Sequence, residues 1–123
     1  MSDYIAGSCN IGPSEIHRRY QVAIVAGLIY LIAATAVMTT DESPLIRLTV
    51  FIPAMAASVG YTQARRKFCL AYGLAGLFNF ERAGDVKKVG DKAALKADRA
   101  YALKVLTLSL FPALFMTAIV FVF

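Results

Sequence analysis

The chain is poor in the residues from which soluble active sites are built. Only 17% of its 123 residues are charged, one is histidine and two are cysteine. Cys9 and Cys69 lie far apart in sequence and form no C-x-x-C pair, which excludes a disulfide scaffold. No Ser-His-Asp set, carboxylate pair or phosphate-cradling loop is legible, and Gly73-x-x-Gly76 alone does not make a nucleotide site. The expectation is a protein that is not an enzyme, with no catalytic residues, no metal and no cofactor.

Apolar residues are abundant instead. They make up 59% of the chain, against roughly 45–50% in an average soluble domain, and the mean hydropathy is +0.62. A small domain buries the smallest fraction of its surface, so a soluble fold of this length cannot hide that much apolar area. This composition excludes a disordered tail and points to an integral membrane protein.

Three runs are long enough to cross a hydrocarbon core, which takes roughly 20 apolar residues in a helix. Tyr20 to Thr40 carries no charge and no proline. Leu45 to Tyr61 follows the linker Asp41-Glu42-Ser43-Pro44, in which Pro44 suits a first helical turn. Arg47 near its start can snorkel to the interface, and Pro53 predicts a kink. Val105 to Phe123 is uncharged, with a second kink expected at Pro112 and its terminal carboxylate at the far interface.

The stretch Phe68–Phe80, FCLAYGLAGLFNF, is apolar but too short to span, and is flanked by Arg65-Arg66-Lys67 and Glu81-Arg82. It fits an interfacial or re-entrant helix that lipid, the other helices or a partner must cover. A turn is expected at Ala83-Gly84-Asp85 and a break at Gly90. Asp91 then caps a helix that can run into the third span. Ahead of the first span, Gly12-Pro13 opens a short juxtamembrane helix that can merge with it.

The expected fold is therefore all-α, a single membrane domain over residues 1–123. Its spans lie at approximately 20–40, 45–62 and 105–123, joined by a basic loop at 63–104, with the juxtamembrane and interfacial helices in addition. A signal peptide at the first run is not expected, because the run exceeds the usual signal core of about 7–15 residues. Lipidation at Cys9 lacks an apolar leader, and myristoylation lacks a glycine after the initiator methionine.

Charge gives the orientation. The chain has 13 Lys and Arg and 8 Asp and Glu. Arg18 and Arg19 precede the first span. Arg65, Arg66, Lys67, Arg82, Lys87, Lys88, Lys92, Lys96, Arg99 and Lys104 lie between the second and third, and Arg47 alone falls elsewhere. The positive-inside rule places the N-terminus and the basic loop inside and the C-terminus outside a cytoplasmic or inner type of membrane. The same distribution explains the pI of about 9.4 without nucleic acid. It makes Arg65, Arg66, Lys67, Lys87 and Lys88 candidates for anionic lipid head groups.

His17, the one histidine, is a candidate haem or pigment ligand. With Cys9 and Cys69 it makes a three-ligand zinc possibility whose spacing does not show that the residues meet. Small-x-x-x-small pairs, Ala23 with Gly27 and Ala56 with Gly60, let helices approach closely, either within this chain or toward a partner. Phe68, Tyr72, Phe78 and Phe80 are further interface candidates. Transport by a single copy is not expected, since no Asp, Glu, Lys or His sits mid-span. The leading expectation is a structural or accessory subunit of a larger membrane complex, for instance a bioenergetic one, held by other membrane subunits. A self-assembling channel or carrier, and a pigment or haem binder through His17, are the alternatives.

Overall fold

A computed structural model describes residues 4–80 and 86–123. The protein is mostly helical, and three of its helical segments are long and apolar enough to cross a membrane: Pro13–Thr39, Pro44–Arg66 and Lys92–Val122. The turn expected at Ala83-Gly84-Asp85 lies outside the described residues, as do Glu81 and Arg82.

The first segment is one continuous helix, α1 (Pro13–Thr39). The juxtamembrane helix is its first turns and not a separate element. Pro13 sits at the start, where its missing N–H leaves no gap. The second segment is compound: α2 (Pro44–Arg47), a 3₁₀ turn (Leu48–Val50) and α3 (Phe51–Arg66). The irregularity lies just ahead of Pro53. Proline has no N–H for the carbonyl one turn back and its ring crowds that carbonyl, so the chain tightens there into 3₁₀ geometry. The third segment, α5 (Lys92–Val122), begins well before the apolar run and continues through Pro112. The side chain of Asp91 accepts from the Ala93 N–H at 3.4 Å and caps it.

The stretch Phe68–Phe80 does not form one helix. Only α4 (Leu70–Ala75) is helical. Gly76 ends it with φ of 76°, a left-handed conformation that glycine adopts without steric cost. β1 (Leu77–Phe78) then pairs antiparallel with β2 (Lys87–Lys88).

α1, α3 and α5 run up, down and up. α3 packs along both of the others, whereas α1 and α5 meet only locally. The α1–α3 contact is tightest at Gly60, where an added Cβ would lie 3.0 Å from the Arg19 carbonyl oxygen and 3.1 Å from the Ala23 nitrogen. The buried face of α5 is Ala94, Asp98, Ala102, Val105, Ser109, Ala113, Thr117 and Val120, a seam of mostly small residues three or four apart. Across the bundle the Ser58 hydroxyl donates to the Ser109 carbonyl at 2.5 Å, and Tyr30 donates to the Met116 carbonyl at 2.8 Å. Arg47 donates to the Val120 carbonyl at 3.3 Å, a cation at the C-terminal end of α5 where the helix dipole favours it.

Other hydroxyls within the helices are satisfied locally. Thr35, Thr107, Ser109 and Thr117 each donate to the carbonyl four residues back. Among the described residues, every buried side-chain nitrogen and oxygen has a hydrogen-bond partner.

Candidate functional site

The polar residues converge at one end of the bundle, where α1 begins, α3 ends and α5 enters. The N-terminal segment reaches this end as an extended strand of contacts. Asn10 mimics a strand partner with its side chain: its Nδ2 donates to the Cys69 carbonyl at 3.2 Å and its Oδ1 accepts from the Cys69 N–H at 2.6 Å. Its own N–H donates to the Lys67 carbonyl at 3.2 Å, and the Asn79 N–H donates to its carbonyl at 2.9 Å. The Gly12 N–H closes the ladder on the Asn79 carbonyl at 2.8 Å.

This ladder delivers Glu15, in the first turn of α1, to the centre of the cluster, where it is fully buried. Four groups converge on its carboxylate. The Tyr72 hydroxyl donates to Oε2, Asn79 Nδ2 donates to the same oxygen at 3.4 Å, and Arg19 lies 3.5 Å from Oε1. Arg18 reaches the same Oε1 at 3.5 Å from a more exposed position. Arg19 also points a guanidinium nitrogen at the Cys69 sulfur, 3.1 Å away, and its guanidinium stands over the Tyr72 ring at 5.8 Å. An acidic residue in the first turn is favoured by the helix dipole, and the arginine one turn on completes the pair. Burial, and then the hydrogen bond to Glu15 and the negative charge there, raise the Tyr72 pKa above its ordinary value.

A second anchor lies beside it. Asp98, fully buried on α5, accepts from the Tyr4 hydroxyl and, at 2.7 Å, from the Gly7 N–H. The Tyr4 ring stacks on Phe78 with centroids 5.0 Å apart. Burial first, and then Asp98, push the Tyr4 phenol upward. The two anchors bind the N-terminal segment, α1, α4 and α5 into one unit. Glu15, Asn10, Asn79 and Asp98 are turned inward onto their own chain, an arrangement suited to holding elements in place.

The residues singled out from sequence distribute as follows. His17 is exposed on α1. Cys9 is half-buried, and its thiol points at the Ile11 carbonyl at 3.8 Å. Cys69 is buried beneath Arg19. Among the described residues, no three His, Cys, Asp or Glu side chains form a group that could hold a metal. Gly60 packs on Ala23 within the bundle, while Gly27 faces open space and Ala56 is exposed. Phe68 is fully buried with Ala102 and Val105 and meets the Tyr101 ring edge-on at 4.7 Å. Phe78 and Phe80 are half-buried. Arg65, Arg66, Lys67, Lys87 and Lys88 are all exposed, with Arg66 donating to the Tyr101 hydroxyl at 3.3 Å.

Glu15, Asn10, Asn79, Asp98 and Tyr4 were not indicated by motif. The available signal was periodicity: Asp98 falls in the small-residue seam of α5, and Glu15, Arg19, Ala23, Ala26, Tyr30 and Ala34 continue one stripe along α1. Comparison of the chain with protein-family models, with curated proteins and with solved structures finds no match.

Proposed function

We propose that this protein is a multi-pass membrane protein acting as a non-catalytic structural or accessory subunit of a larger membrane complex. The observation that carries the reading is the outward face of the three long helices. Leu31, Ile32, Leu45, Ile52, Phe111 and Phe115 are between 59% and 78% exposed, an apolar surface that water does not tolerate and that lipid or neighbouring helices cover. The polar cluster supports the same reading, because its buried groups are engaged with one another.

Twelve of the thirteen Lys and Arg precede the apolar run that begins at Tyr20 or fall between the runs that end at Tyr61 and begin at Val105. That distribution supports an inside location for the N-terminus and the basic loop, against anionic head groups. Two measurements test the proposal. Membranes washed with alkaline carbonate should retain the protein, with reporter fusions after Thr40 reading outside and fusions near Gly90 reading inside. Native mass spectrometry of mild-detergent extracts should find unlike subunits. A closed homo-oligomer would favour a self-assembling channel instead, and release by carbonate would sink the membrane reading.

A further inference from the structure

Because α3 packs on both α1 and α5 while those two meet only locally, a cleft runs between them, floored by α3. Its volume is about 610 Å³. Ile24 forms one wall, Ala57 the floor, and Pro112 and Met116 the other wall. Nearly everything it presents is hydrocarbon. The hydrogen bond from Tyr30 to the Met116 carbonyl joins α1 to α5 at its far end. At the basic end the cleft adjoins a second recess along α3. Tyr61 and Thr62 line the cleft and also line a second recess of about 280 Å³, whose other walls are Arg65, Arg66 and Leu108. The two adjoining recesses thus change character along α3, from apolar within the bundle to doubly cationic at its end.

We propose that this groove binds one anionic glycerophospholipid, with an acyl chain along the α3 floor and the phosphate on Arg65 and Arg66. The inference rests on the reading of the three long helices as membrane spans. The charge pattern selects this occupant over a partner helix. An apolar helix has no use for two adjacent guanidinium groups at its end, whereas guanidinium matches phosphate in shape and charge through paired N–H donors. Both arginines lie on the last turn of α3, the level at which a head group sits when its chain lies beside the helix. Tyr61 and Thr62, the residues common to both recesses, lie at the level the glycerol esters would occupy.

The test uses the full-length protein in nanodiscs of equal parts phosphatidylglycerol and phosphatidylcholine with identical chains, followed by native mass spectrometry of the released protein. Phosphatidylglycerol should be retained with about a tenfold preference, reflecting charge-assisted pairing to the two arginines. The double variant Arg65→Gln, Arg66→Gln should lose the preference, while Lys87→Gln, Lys88→Gln, which removes equal charge away from the groove, should keep it. Ala57→Phe, which fills the floor, should lower retention of both lipids. Equal retention by the unmodified protein overturns the site. So does a preference that survives the arginine changes, one that is lost equally with the lysine changes, or retention unaffected by Ala57→Phe. A chain that does not enter nanodiscs overturns the membrane reading itself, whereas one that enters without preference overturns the lipid site alone.

Discussion

Glu15 in the first turn of α1 accepts a hydrogen bond from the hydroxyl of Tyr72 in α4, across a separation of 57 residues in sequence. The contact ties the start of a spanning-length helix to an element too short to be stable alone, since α4 has only six residues. Arg19, one turn along α1, closes the arrangement by facing the carboxylate, the Tyr72 ring and the Cys69 sulfur together. The conformation of residues 68–80 therefore depends on α1 as much as on its own sequence.

Removing the carboxylate should be costly. Glu15→Ala strips Tyr72, Asn79 and Arg19 of a shared acceptor and leaves a mostly buried guanidinium uncompensated. Deleting one member of a buried ion pair costs about 3–5 kcal/mol. Tyr72→Phe removes a single donor and should cost about 1.5–3 kcal/mol, the range for a hydrogen bond to a charged group. Thermal or denaturant unfolding in detergent checks both. The double variant should be no worse than Glu15→Ala alone, because the Tyr72 contact is already lost there.

Helix approach gives a paired prediction. An added Cβ at Gly60 meets backbone atoms of Arg19 and Ala23, which cannot rotate away, whereas one at Gly27 meets nothing within 4 Å. Gly60→Ala should destabilise by about 1–3 kcal/mol, the usual cost of overpacking, and Gly60→Leu should prevent the α1–α3 contact. Gly27→Leu should leave the isolated protein's stability unchanged within roughly 0.5 kcal/mol. A loss of stability at Gly27 comparable to that at Gly60 would contradict this packing.

The three long helices were legible because apolar runs of spanning length leave a strong signal in composition alone. The proline at 53 was also legible, although it shows as a 3₁₀ turn at Leu48–Val50 within the compound second segment. The continuation of α1 back to Pro13 and of α5 back to Lys92 was only partly legible, since charge marks where lipid ends and not where a helix ends. The interior of the polar cluster was not legible. Asn10, Glu15, Asn79 and Asp98 look like ordinary loop or flank residues, and only tertiary contacts across tens of residues bury them. From sequence alone Phe68–Phe80 reads as an interfacial or re-entrant helix, whereas only Leu70–Ala75 is helical. Gly76 in the left-handed region breaks it, and the surrounding helices cover Phe68.

The buried tyrosines predict an alkaline limit. Tyr72 and Tyr4 both have pKa values raised by burial and by the carboxylates they face. The folded protein therefore keeps these phenols protonated where the unfolded chain, with tyrosine near 10, has lost the proton. The stabilisation is complete below about pH 10 and declines as pH rises through the folded values, because the native state then binds more protons than the unfolded state. Unfolding midpoints followed from neutral pH upward should fall above about pH 10. The fall should be shallower in Tyr72→Phe and Tyr4→Phe, and an identical slope in all three would count against the raised values.

Asp98 offers a test that separates the two anchors. It accepts from Tyr4 and Gly7, whereas Asn10 and Gly12 are held independently by the carbonyls of Lys67 and Asn79. Asp98→Ala should therefore release the N-terminal segment only as far as Cys9, at a cost of about 1.5–3 kcal/mol for each lost bond to the carboxylate. Hydrogen exchange at the Gly7 amide should accelerate toward the rate of an open chain, since local opening governs exchange of such edge segments. The Asn10 and Gly12 amides should keep their protection, and α5 should remain helical because Ala is a good helix former in its seam. Asp98→Asn keeps one carbonyl acceptor and should retain part of the Gly7 protection. If protection were lost at Gly12 as well, the two anchors would be a single cooperative unit, and Glu15 would depend on Asp98 for its place in the cluster.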